Sequence, residues 1–225
     1  MKPGFTMRPA RSVLVLVVCI AVLGPLYAQN ARVLFIDDPE AILVTSGDRA
    51  TIVPEIGTGI PAGSIVETGD TSIELQLEPS GGIVYVSHHT VFILDRIDVG
   101  VDSVDHRFAL ERGKIRTVVS AFLDDRYEIQ TPSAVLGVRG TDFAQRVVPG
   151  QMDWVCVLDG AVSFARLSDD RELRVSAGAF ADVRAERFES AEISRDRIEA
   201  LFSDVQFRGS DPTTVRDRRE RLPGG

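Results

Sequence analysis

Between Ala31 and about Val183 no long pattern of helical period interrupts a succession of short apolar runs, and this constrains the fold more than any other feature. Ile73, Leu75 and Leu77 alternate with Ser72, Glu74, Gln76 and Glu78, the period of two expected of a strand with one face buried. Ile83–Val86 and Val91–Leu94 are denser, as expected of strands covered on both faces. Turn-forming groups recur between the runs: Thr68-Gly69-Asp70, Pro79-Ser80-Gly81-Gly82, Arg112-Gly113, Asp159-Gly160 and Ala177-Gly178. Asp159-Gly160 tolerates positive φ and separates Val155–Leu158 from Ala161–Phe164, which predicts a two-residue β-hairpin. Many short strands at even spacing predict an all-β domain over 29–185: a roll, a sandwich or a short β-solenoid.

The texture changes near Ser190. Ile198, Leu201, Phe202 and Val205 fall at i, i+3, i+4 and i+7, which predicts one C-terminal amphipathic helix within 186–207, its stripe packed on the β domain. Residues 208–225 carry Gly209, Ser210 and Pro212, and then Arg216, Arg218, Arg219 and Arg221; they read as a flexible polar tail.

The N-terminus sets the expected compartment. Lys2, Arg8 and Arg11 precede an 11-residue apolar run, Val13 to Leu23, and Pro25-Leu26-Tyr27-Ala28 closes it. That layout predicts a signal peptide over 1–28, cleaved after Ala28, and so a periplasmic or secreted protein. A helix needs roughly 20 apolar residues to cross a bilayer, so an uncleaved anchor is the weaker alternative. Cleavage leaves 197 of 225 residues, enough for one core. Three basic residues and no acid leave with the signal, moving the net charge from −8 to −11. Such acidity opposes binding to nucleic acid and to anionic lipid. Cys19 also leaves, so Cys156 has no disulfide partner; it is expected to be a small buried hydrophobe on one strand face with Trp154 and Leu158.

The stretch Tyr127-Glu128-Ile129-Gln130-Thr131-Pro132-Ser133-Ala134-Val135-Leu136-Gly137-Val138-Arg139-Gly140-Thr141-Asp142-Phe143 closely resembles the signature of the FecR domain. In that signature a strand ends in Thr-Pro, a small apolar segment follows, and an Arg-Gly-Thr turn leads into another strand. Gly63 to Leu77 resembles its opening hairpin, Leu110 to Ile115 its middle turn, and Val157 to Val162 with Val175 to Gly178 its closing turns. The resemblance covers about residues 45–185. It implies an all-β fold and, in FecR-type proteins, a relay from an outer-membrane receptor to a sigma factor. This chain departs from that pattern: few residues precede the apolar run, and Pro79-Ser80-Gly81-Gly82 stands in place of an acidic Asp-Gly-Ser turn. The expectation is therefore a free-standing exported FecR domain without sigma-factor control.

The motif residues Thr131, Pro132, Gly137, Arg139, Gly140, Thr141 and Phe143 have physical roles independent of any family. Pro132 removes a donor and holds Thr131 extended, so the strand turns there. Gly137 and Gly140 are expected to give backbone freedom at a second reversal. Arg139, with five donors in a fork, is expected to tie loop carbonyls or an acid together inside the domain, with ligand contact as the alternative. Thr141 is expected to bond local backbone, and Phe143 to enter the core.

Searches for catalytic or metal chemistry find no constellation. There is no Gly-x-Ser-x-Gly elbow, no calcium loop and no phosphate loop, and no cofactor is implied. His88 and His89, adjacent on a strand, would face opposite ways, a poor shared metal site; His106 is the third histidine. Asp37-Asp38, Asp124-Asp125 and Asp169-Asp170 read as turns or solvated loops. The function expected is a non-enzymatic binding or sensing module that docks an envelope or outer-membrane protein through exposed strand edges or loops. The alternatives are an envelope polysaccharide or peptidoglycan binder, disfavoured by aromatics of only 7%, and an assembly subunit.

Overall fold

The computed structural model describes residues 30–100, 103–120 and 125–216; the expected signal peptide, Asp124 and the tail from 217 onward lie outside the described residues. In chain order the first strands are β1 (Asn30–Ile36), β2 (Ile42–Thr45), β3 (Thr51–Ile52), β4 (Gly59–Pro61), β5 (Ser64–Thr68), β6 (Ile73–Leu77), β7 (Ile83–Val86) and β8 (Val91–Val99). There follow β9 (Val104–Val118), β10 (Arg126–Gln130), β11 (Ala134–Val138), β12 (Asp142–Val148), β13 (Met152–Asp159), β14 (Ala161–Arg166), β15 (Arg171–Ser176), β16 (Ala179–Asp182) and β17 (Ala191–Glu192). Two helices close the described chain, α1 (Arg195–Phe202) and the five-residue α2 (Pro212–Arg216). The architecture is all-β, with one more helical turn than the sequence pattern predicts.

The strands form two facing sheets. Sheet A runs β4, β1, β6, β7, the end of β9, β12, β13, β16, β17. Sheet B runs β3, β2, β5, β8, the beginning of β9, β10, β11, β14, β15. Alternation along each strand sends one set of side chains between the sheets. Val66, Leu75, Phe92, Phe108, Leu136, Phe143, Val155 and Phe164 meet there, each at most 1% exposed. Burying one such side chain stabilises the fold by about 1.5–3 kcal/mol.

The chain repeatedly crosses from one sheet to the other, and these crossings overturn the predicted hairpins. β13 lies between β12 and β16 in sheet A, whereas β14 lies between β11 and β15 in sheet B. Asp159-Gly160 is thus an arch over the end of the sandwich. Its glycine has φ 82°, and a Cβ there would lie 2.5 Å from the carbonyl oxygen of Gly140, so the arch stacks on a neighbouring arch that a larger residue would push away. Likewise β5 pairs in sheet B and β6 in sheet A, so Gly69–Ser72 is an arch where an opening hairpin was expected. Period-two patterning cannot distinguish the two: hairpin and arch both bury alternate residues, and only the pairing partner differs.

β9 belongs to both sheets. Residues 104–112 pair with β8 and residues 115–118 with β7. The bend lies at Gly113, φ 97°, where a Cβ would come within 2.6 Å of Thr90 atoms. Only glycine fits this position.

Two further expectations fail at one place, the outer face of sheet A. Glu74, assigned to a solvated face of β6, is 0% exposed. Residues 208–210, read as solvated tail, cover it: the backbone N–H groups of Arg208 (2.5 Å) and Gly209 (3.1 Å) and the hydroxyl of Ser210 (2.6 Å) all donate to its carboxylate. The Arg208 guanidinium also grips Asp37 at 2.9 and 2.5 Å. Beyond it Val215 packs on Ile83 and Val118. β8 departs in the other sense: Val91 and Ile93 are only half-buried, so it is covered on one face.

Candidate functional site

The signature residues assemble at two joints. At the first, Thr131-Pro132-Ser133-Ala134 turns β10 back into β11 within sheet B. The Thr131 hydroxyl accepts from Ala134 N–H at 2.8 Å and the Thr131 N–H donates to the Ala134 carbonyl at 2.9 Å. Asp153, reaching inward from β13 on the opposite sheet and 0% exposed, accepts from the hydroxyls of Thr131 and Ser133, the latter at 2.7 Å. Burial raises the Asp153 carboxyl above the ordinary carboxylate range, and these hydroxyls oppose the shift. The turn is therefore clamped to sheet A through a buried polar contact.

At the second joint Arg139-Gly140-Thr141 carries the chain from β11 in sheet B to β12 in sheet A. The Thr141 hydroxyl contacts the carbonyl of Arg139 at 3.2 Å and that of Ala161 at 3.0 Å, joining this arch to the one at Gly160. Gly140 takes φ 61°, as a reversal requires, and Phe143 enters the core at 0% exposure. Gly137 does not sit at a reversal: it lies within β11, paired with Glu128 and Ser163. Arg139 is exposed, and Thr131, Asp153 and Thr141 tie the two joints together inside the domain. Next to this joint, Asp142 and Arg116 form a buried bidentate pair at 3.0 and 2.9 Å.

Arg139 and Gly137 border an open cleft of about 830 Å³ on the outer face and end of sheet B. The strand register explains it. Arg96, Arg107, Glu128, Gly137, Ser163 and Arg174 are cross-strand partners in one continuous row from β8 to β15. Gly137, lacking a side chain, leaves a saddle in the middle. Five arginines (96, 107, 126, 139 and 174) and three acids (Asp98, Asp105 and Glu128) line the cleft, an excess of positive charge on an acidic protein. Two arginines are balanced locally: Arg96 by Asp98 at 2.5 Å and Arg107 by Glu128 at 3.2 Å. Arg126 and Arg174 are exposed and make no ion pair among the described residues.

His106 and Tyr127 form the inner wall of the cleft, their rings stacked at 4.5 Å and nearly parallel. His106 is 2% exposed, and both ring nitrogens lack hydrogen-bond partners. Burial lowers its pKa to about 4, so it is neutral at pH 7. Sequence reasoning passed over this site. The i, i+2 charges Arg96/Asp98, Asp105/Arg107 and Arg126/Glu128 do mark one strand face, but their union depends on cross-strand register.

The other candidates resolve simply. His88 and His89 lie in the turn between β7 and β8 rather than on a strand, and His89 meets Asp70 at 2.9 Å. Asp125, expected in a solvated loop, is buried and accepts from the Val104 N–H at 3.0 Å. Cys156 is buried beside Trp154 on the covered face of sheet A, its thiol pushed up to about 11 by burial, while Leu158 of the same alternation remains 39% exposed. Among the described residues no group of three His, Cys, Asp or Glu side chains is placed to hold a metal, and no helix is long and apolar enough to cross a membrane.

Fold and joints together define an all-β domain of stacked sheet crossings, locked by a Thr-Pro turn and an Arg-Gly-Thr arch. Residues 64–163 match the family model described as FecR protein, and this stretch is a FecR domain. The match is narrower than the 45–185 span of resemblance, yet β1 and β15 pair directly with strands inside it. No curated protein matches the chain. Two crystal structures of a protein proposed as an anti-sigma factor, from Parabacteroides distasonis ATCC 8503, are similar in fold. The first has a TM-score of 0.51 at 15% identity, covering 70% of this chain and 73% of that one. The second has a TM-score of 0.49 at 16% identity, covering 69% and 71%.

Proposed function

We propose that this protein is an exported, non-enzymatic FecR-domain module of the bacterial cell envelope that senses or relays a signal by docking a partner protein. The observation that carries the reading is the position of the signature: its rigid joints hold Gly137 and Arg139 at the border of a broad, open, charged cleft. Open polar sheet surfaces on rigid scaffolds suit recognition, whereas catalysis calls for converging groups in a water-excluding pocket. The FecR match over residues 64–163 and the description of the Parabacteroides protein as a proposed anti-sigma factor support a place in signalling. The basic-apolar-small N-terminal pattern supports export.

The test is to express the tagged chain in its native envelope, crosslink, and identify what is captured. The expected result is one envelope or outer-membrane protein, with capture reduced by Arg139→Ala in a variant whose unfolding midpoint is unchanged. Recovery of glycan fragments alone, or of nothing beyond the chain itself, overturns the docking reading.

A further inference from the structure

We propose that the sheet-B cleft receives an extended acidic peptide segment of the partner, its carboxylates seated on Arg126 and Arg174 across the Gly137 saddle. This rests on the docking reading above and names the chemistry of the docked segment.

Charge argues first. The protein carries a net −8, yet five of the cleft's eight charged side chains are arginines. If the row served only to pair neighbouring strands, it would balance itself, as Arg96 does with Asp98 and Arg107 with Glu128. Arg126 and Arg174 do not fit that account. They stand exposed at opposite sides of the saddle, and a guanidinium presents a planar fork matched to a carboxylate.

Size argues second. From Arg107 to Arg174 the row crosses four strand spacings, about 19 Å at about 4.8 Å each. That is the length of roughly six extended residues at about 3.3 Å per residue, far more than a single small anion needs. Gly137 keeps the middle open: a Cβ there would make only ordinary contact, 3.6 Å from the Ser163 Cβ, so the gap is real space.

Binding of an acetylated, amidated Asp-Glu hexapeptide to the full chain, measured by calorimetry, tests the proposal. The expected result is one site, weakened about tenfold or more between 50 and 500 mM salt as the charges are screened. The double variant Arg126→Ser/Arg174→Ser and, independently, Gly137→Leu should each weaken it by about tenfold or more, while Arg195→Ser, outside the cleft, leaves it unchanged. Equal binding of an Asn-Gln hexapeptide, unchanged affinity in both cleft variants, or saturable binding of inorganic phosphate without the peptide overturns it. Failure of the two readings is distinguishable. A crosslinked partner retained by Arg126→Ser/Arg174→Ser overturns the cleft and keeps docking; peptide binding with no captured partner overturns docking and keeps the chemistry of the cleft.

Discussion

The outer faces of the two sheets have similar strand geometry and opposite fates. Sheet A presents Tyr85, Trp154, Cys156 and Phe180, and the chain's own C-terminal segment lies over them with Ile198, Leu201, Phe202, Val205 and Phe207. Two cations on that face are enclosed: Arg116 pairs with Asp142 and sits over the rings of Phe202 and Phe207 at 5.2 and 5.0 Å, and Lys114 donates to the Leu201 carbonyl and to Asp204. Sheet B presents arginines, acids, a serine and a glycine at its cleft, with no helix of the described residues over them. An apolar sheet face must be covered, and this chain covers one itself; a polar face is stable in water and free to meet something else. Charge on face A should therefore govern stability, and charge on face B recognition.

The sharpest way to break that contrast is to remove a cation from each face. Arg116→Ala removes the bidentate partner of the Asp142 carboxyl, which is 1% exposed, and urea unfolding should report a loss of about 3–5 kcal/mol. A loss below about 1 kcal/mol would mean the covered face tolerates charge as water does. The pH dependence supplies the next largest effect. The pKa of His106 falls from 6.5 unfolded to about 4 folded, so below pH 6.5 the unfolded state takes up the proton first. Stability should fall as pH drops from 6.5 to 4, by up to roughly 3 kcal/mol, and His106→Leu should flatten that part of the profile.

Asp153 tests whether the clamp between sheets depends on charge or on hydrogen bonding. Asp153→Asn keeps an acceptor for Thr131 and Ser133 and offers an N–H to Gln145 Oε1, which is otherwise buried without a partner. It should be neutral or stabilising near pH 7, whereas Asp153→Ala should cost about 1–3 kcal/mol through the orphaned hydroxyls. Smallest of all, Arg126→Ser/Arg174→Ser should shift the unfolding free energy by no more than about 0.5 kcal/mol. A large shift there would erase the distinction between the two faces.

The legible part of this molecule was its local periodicity. Alternation at Ile73, Leu75 and Leu77, the Thr-Pro turn and the stripe Ile198, Leu201 and Phe202 map onto the predicted element types, while Val205 packs from beyond the helix end. What periodicity cannot carry is which strand a strand pairs with. Hence Asp159-Gly160 read as a hairpin and proved an arch, and Gly137 read as a reversal and proved a strand residue. The cleft was hidden for the same reason, since Arg96 and Arg174 become neighbours of one row only after six strands are placed in register. The buried Glu74 was hidden by distance: its donors lie 134 to 136 residues further along the chain.

That distance has a consequence for timing. A chain delivered from its N-terminus can pair β1 with β6 as soon as both have emerged, yet the Glu74 carboxylate must stay in water until Ser210 arrives. Closure of this corner therefore waits for residues 208–210, and a chain cut short before Arg208 would carry its defect in its oldest strands rather than at its broken end.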